Sequence, residues 1–165
     1  MDLAFDEADQ EHSLLGNLRS VPEDRWLWVP PGGSRTVQQI VGHVGACNYM
    51  YDNYAFGDRR MTWDEPAVAL GCTMEELQSS PSIMDEPSPE HIIAWLNEGH
   101  RRLRQHISVL DDDDLSKPRR RPEGEMKETR WIIAVMIGHD LYHAGEINHV
   151  RALMQGRDGW AWIAE

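Results

Sequence analysis

The chain has 165 residues, 41% of them hydrophobic and 27% charged, which is the composition of one soluble globular domain spanning residues 1–165. Lys and Arg number 16 against 28 Asp and Glu, for a net charge of −12; so acidic a surface repels phosphate backbones and disfavours nucleic acid as a partner. Two cysteines, Cys47 and Cys72, give neither a disulfide framework nor a CxxC zinc knuckle, and no leader-like start or apolar run of roughly 18 residues is present, so a cytoplasmic protein without a membrane partner is expected.

Four stretches read as helix. The first is predicted over residues 2–19, with Leu14, Leu15 and Leu18 on one side and Val21-Pro22 as its stop. A loop carrying Trp26, Trp28, Pro30-Pro31 and Gly32-Gly33 follows. The second helix is predicted over residues 34–57. Thr36 and Gln39 form a capping-box pattern, and Val37, Ile40, Val44, Cys47 and Tyr51 recur at helical spacing. Residues 58–87 read as irregular, with one short turn at 74–77. Ser88-Pro89, a capping residue followed by proline, opens the third helix. Its inward face runs through Ile92, Leu96, Gly99, Leu103, His106, Ile107 and Leu110.

Asp111–Asp114 reads as solvated loop or the first turn of a short helical segment. Lys117–Pro122 reads as an exposed basic connection; its alternative role is an anion contact at a site mouth. The fourth helix is predicted from Thr129 to Gln155, stopping at Gly156, with Ile132, Val135, Met136, His139, His143, Ile147, Val150 and Met154 facing inward. No stretch shows sustained period-two alternation with a hairpin turn. The fold class expected is all-α, an antiparallel four-helix bundle.

The eight histidines carry the chemical lead. His139 and His143, four residues apart, place both imidazoles on one helix face. Two unpaired imidazoles in an apolar interior are costly, and a divalent metal relieves that cost by taking a lone pair from each ring. His43 lies mid-helix on the second inward arc and can face them. Three neutral imidazoles leave coordination positions open, the pattern of a catalytic metal site, and suit zinc, nickel, iron or cobalt. Glu146 is the candidate catalytic residue, as a general base or as an acceptor orienting a ligand; its alternative is a surface pair with Arg151. His12, His91 and His100 are expected on solvated or boundary faces, His106 partly buried, and His149 well off the direction of His143. Asp140, one residue past His139, is expected to face solvent. Cys47 reads as a small hydrophobe, with thiolate ligand as its alternative. His139–His143 also brushes the H-E-x-x-H pattern, but Asp140 stands where that pattern has Glu.

Two segments resemble the DinB/YfiT-like metal-dependent four-helix proteins. One is Ser34-Arg35-Thr36-Val37-Gln38-Gln39-Ile40-Val41-Gly42-His43-Val44. The other is Gly138-His139-Asp140-Leu141-Tyr142-His143-Ala144-Gly145-Glu146-Ile147. The Leu-rich first helix, Val21–Trp26 and Gly32-Gly33 also fit, and residues 58–87 are the weakest part. The resemblance implies an up-down-down-up bundle and a mononuclear site on His43, His139 and His143. It also implies a small-molecule substrate and a homodimer. Some members of that family use low-molecular-weight thiols such as bacillithiol or mycothiol, and others isomerise or act in thiol-histidine biosynthesis. The function expected is therefore a metal-dependent thiol S-transferase with a low-molecular-weight thiol as co-substrate. The alternatives are a metal-hydroxide hydrolase or a non-catalytic metal or small-ligand binding protein.

Overall fold

Apolar helix faces leave water by meeting one another, and the computed structural model, which describes residues 1–7, 13–33, 35–79 and 88–156, is an all-α helical bundle built that way. The helices are α1 (Leu14–Arg19), α2 (Val37–Tyr51), α3 (Glu65–Val68), α4 (Met74–Ser79), α5 (Pro89–Ser108) and α6 (Thr129–Gln155). A π-helical turn, Leu3–Glu7, precedes α1; the first helix predicted over 2–19 is interrupted at Ser13, which is extended and caps α1, and residues 8–12 lie outside the described residues. Helix α2 packs against both α5 and α6, and α1 against α6. Among the described residues no helix is long and apolar enough to cross a membrane.

Helix α2 starts at Val37, three residues after the predicted bound at 34, with Thr36 of the capping-box pattern as its N-cap. The Thr36 hydroxyl accepts from the Gln39 N–H at 3.1 Å, and the Gln39 side chain accepts from the Thr36 N–H at 2.8 Å. Its last turn widens into a π-helical segment, Asp52–Phe56, that ends at Gly57. Every residue of α2 is buried except His43. The helix is therefore central, and it reaches solvent only at that histidine. Helix α5 begins at Ser88, whose hydroxyl accepts from the His91 N–H, with Pro89 at its first position. Helix α6 ends at Gly156, whose φ of 65° is the left-handed stop that glycine adopts without a Cβ penalty.

Two further local expectations are corrected. Residues 58–87 hold α3 and α4 rather than a single short turn. The basic connection holds a hairpin, β1 (Pro118–Arg120) against β2 (Met126–Glu128), with Arg119 opposite Lys127. Three-residue strands are too short to print an alternation. Side chains anchor them instead. Arg119 donates to the Thr129 hydroxyl at 2.9 Å and to the Ala55 carbonyl at 3.2 Å, and lies over the Phe56 ring.

The core divides along the bundle. Leu14, Leu18, Val37, Ile40, Ile92, Leu96 and Ile147 pack at one end. Cys47, Tyr51, Leu103, Ile132 and Met136 pack at the other. The three candidate ligands lie on α2 and α6 between Ile40 and Cys47 on one helix and between Met136 and Ile147 on the other.

Candidate metal centre

Helices α2 and α6 bring His43, His139 and His143 together. One ring nitrogen of each lies within 4.8 Å of the others. The ring centroids of His43 lie 5.1 Å from those of His139 and His143, which are themselves 4.5 Å apart. His43 Nε2 and His139 Nε2 approach to 3.1 Å. Two imidazole nitrogens at that distance either share a proton or present lone pairs to one cation between them. His139 Nδ1 is buried with no hydrogen-bond partner in the structure.

The third ring has a fixed orientation. His143 Nδ1 lies 2.7 Å from Glu146 Oε2. A carboxylate accepts only, so Nδ1 carries the proton and Nε2 keeps its lone pair for the cluster. Glu146 Oε1 in turn accepts from Arg35 Nη2 at 2.5 Å. The edge of Tyr142, itself largely exposed, meets His143 at a centroid distance of 4.9 Å.

Burial sets the electrostatics. Desolvation takes His139 down to about 3, helped by the neighbouring His143 and His43. It takes His143 down to about 4, with His43 and Arg35 acting in the same sense. His43 is lowered by desolvation and then by Arg35, against a smaller opposing pull from Glu146. Near neutrality all three rings are therefore uncharged, the state in which imidazole donates to a metal. Three neutral nitrogen donors converging where α2 touches solvent fit a divalent cation with open positions.

Other sequence expectations meet mixed outcomes. Glu146 is beside the cluster, paired with His143 and Arg35 rather than with Arg151. Cys47 is 7% exposed and its thiol lies 3.8 Å from His43 Nε2. Burial pushes that thiol up to about 12 in the metal-free protein. His91 and His149 are exposed, and His12 lies outside the described residues.

His100 is not on a boundary face. It is buried, stacked on Phe5 at 3.6 Å, with Asp2 3.5 Å from its Nε2. His106 has its side chain half exposed and lies 2.6 Å from the buried Asp52. Asp140 is fully buried rather than solvent-facing, and neither of its oxygens has a hydrogen-bond partner. The reason is rotational. The buried stripe of α6 runs through Met136, Asp140, His143, Ala144 and Ile147, so His139 sits at its edge and Asp140 at its middle. The basic loop does not present Arg119 and Arg121 to an anion. Arg119 is engaged by Thr129, Ala55 and Phe56, and Arg121 by Tyr51, Glu123, Glu125 and the Trp131 ring.

Sequence reasoning gave Arg35 no role. Its partner is 111 positions away, and no local pattern signals such a contact. No curated protein matches the chain. The family model described as the DinB superfamily matches residues 8–147, most of the sequence and all three histidines, and the chain belongs to that superfamily.

Proposed function

We propose that the protein is a metal-dependent enzyme in which His43, His139 and His143 hold one divalent cation, and that it transfers a low-molecular-weight thiol to an electrophilic carbon. The observation that carries the reading is the convergence of three neutral imidazoles at the one point where α2 is not buried. A structural zinc is usually closed by four protein ligands, whereas three leave room for a reactant. The thiol follows from the family resemblance, and the open, partly exposed donor set supports it.

A divalent cation held there supplies Lewis acidity and lowers the pKa of a thiol bound beside it. The chain's residues supply the rest. The three rings donate lone pairs and, being desolvated, do not take up the thiol proton, which passes to solvent. The thiol sulfur then forms the new carbon–sulfur bond as the carbon–halogen or carbon–oxygen bond breaks, its electron pair going to the departing halide or to the epoxide oxygen, which takes a proton from solvent.

The test has two stages. Elemental analysis of protein purified without added metal should give one equivalent of a divalent transition metal per chain, falling sharply in His43→Ala. The cobalt form, in a Cys47→Ala background so that no cysteine of the chain lies beside His43, should then develop sulfur-to-cobalt charge-transfer bands with a low-molecular-weight thiol. It should also form a conjugate with an epoxide or halide. Full occupancy in His43→Ala would overturn the ligand set. Metal-loaded protein that forms no conjugate, or that hydrolyses a substrate without thiol, would overturn the transfer reaction.

A further inference from the structure

Glu146 lies beside His143, and each of its oxygens is already engaged. Oε2 takes the His143 Nδ1 proton at 2.7 Å, and Oε1 takes an N–H of Arg35 at 2.5 Å. We propose that Glu146 and Arg35 are positioning residues: Glu146 fixes the His143 ring with its Nε2 lone pair toward the cluster, and Arg35 fixes Glu146. The proposal rests on the metal reading above and is independent of which reaction the metal serves.

The placement of the three residues makes the arrangement effective. His143 and Glu146 are three apart on α6, neighbours on one helix face. Arg35 directly precedes Thr36, whose capping box pins the start of α2. The ion pair therefore ties the start of the helix bearing His43 to the helix bearing the other two rings. Both side chains are partly covered, 39% exposed for Arg35 and 22% for Glu146, so the pair is screened by solvent less than a fully exposed one. A carboxylate behind a ligating imidazole fixes its tautomer and orientation, and removing it typically costs about 10–100-fold in metal affinity.

Arg35 exerts two opposed effects, and that makes its role measurable. Its positive charge repels a cation held by the three rings. Its hydrogen bond holds the carboxylate that orients His143. If it acts through Glu146, Arg35→Ala should weaken metal binding in the wild-type background. In the Glu146→Ala background only the repulsion remains to be removed, so the same change should leave affinity equal or raised.

The experiment measures zinc affinity by chelator competition in wild type, Glu146→Ala, Glu146→Gln, Arg35→Ala and the Arg35→Ala/Glu146→Ala double variant. Nitrogen-15 spectra of the metal-free proteins report the His143 tautomer. Glu146→Ala should weaken zinc about 10–100-fold and release the fixed Nδ1–H form. Glu146→Gln, whose amide oxygen still accepts that proton but whose NH2 cannot accept from Arg35, should keep the tautomer and lose no more affinity than Arg35→Ala does. Unchanged affinity and tautomer in Glu146→Ala would overturn the role of Glu146. An Arg35→Ala loss of equal size in both backgrounds would overturn the role of Arg35. Wild type that binds no zinc would sink the metal reading, while the tautomer of the metal-free protein would still decide whether Glu146 sets the ring. Protein that binds zinc as expected but transfers no thiol would leave the positioning roles standing.

Discussion

His139 and Asp140 are neighbours in the chain, and burial acts on them in opposite directions. Desolvation penalises whichever form is charged, so it lowers the imidazole to about 3 and raises the carboxyl to about 7. Both are thereby held neutral over much of the acidic range, with opposite consequences for stability. The unfolded imidazole protonates near 6.5, whereas the folded one resists to about 3. Its contribution is present above 6.5 and is lost as pH falls through that interval. The unfolded carboxyl ionises near 3.8, whereas the folded one keeps its proton to about 7. Its contribution is full below 3.8 and is lost as pH rises to about 7. Asp140→Asn removes the second effect and leaves the first. In the metal-free protein, the stability of the variant relative to wild type should rise from pH 4 to pH 7 by a few kcal/mol. Urea unfolding across that range measures it. A difference that is flat with pH would mean that the buried carboxyl is solvated or paired.

At the scale of elements, α2 is confined on nearly every side, and two of its glycines record how closely its neighbours approach. A Cβ at Gly42 would lie 2.6 Å from the Leu77 side chain of α4, and a Cβ at Gly45 would overlap the Trp95 ring of α5. Trp95 has little freedom to retreat, because its Nε1 donates to the Pro66 carbonyl at 2.7 Å and its ring stacks on Tyr49. Gly45→Ala would gain about 1 kcal/mol of helix propensity, but overpacking typically costs about 1–3 kcal/mol. Here the overlap prevails, so thermal unfolding should show a lower midpoint. A raised midpoint would mean that α5 shifts freely along α2. None of this close approach is legible in the sequence, where Gly42 and Gly45 read only as weak helix formers. The ends of α2, α5 and α6 were legible, because Thr36 with Gln39, Ser88 with Pro89, and Gly156 act on backbone groups a few residues away. The hairpin was not, since Arg119, Thr129 and Ala55 meet only in the fold. The same division runs through the site. The spacing of His139 and His143 points to a shared face, and His43 follows from its place on the second stripe. The burial of Asp140 and the reach of Arg35 to Glu146 depend on how the helices are rotated against one another, which periodicity fixes only to within about one residue's 100° step.

At the scale of the whole molecule, the balance between metal and core decides what the metal is for. The bundle buries leucine, isoleucine and valine from α1, α2, α5 and α6 at one end, and methionine, isoleucine and leucine around Tyr51 at the other. A chain of this length buries enough apolar surface to fold without a metal clasp. The histidines lie between these clusters as uncharged rings, so removing the cation leaves no buried charge behind. It leaves instead the close approach of His43 and His139, which one proton can bridge. The metal-free protein should therefore stay helical and unfold cooperatively. Zinc binds the folded rings in preference to the unfolded chain and should raise the unfolding midpoint. At a free concentration near one hundred times its dissociation constant the added stability is about 2.7 kcal/mol. The increment should shrink in His139→Ala, which keeps the core but loses one donor, while thiol transfer should vanish with the cation and return when it is restored. Circular dichroism of chelator-treated protein, followed by zinc titration under thermal melting, gives both measurements. If the metal-free chain is unfolded, the three histidines hold the bundle together and the open site is a clasp; if it is folded but zinc leaves the midpoint of wild type and His139→Ala equally unmoved, the rings do not bind the metal at all.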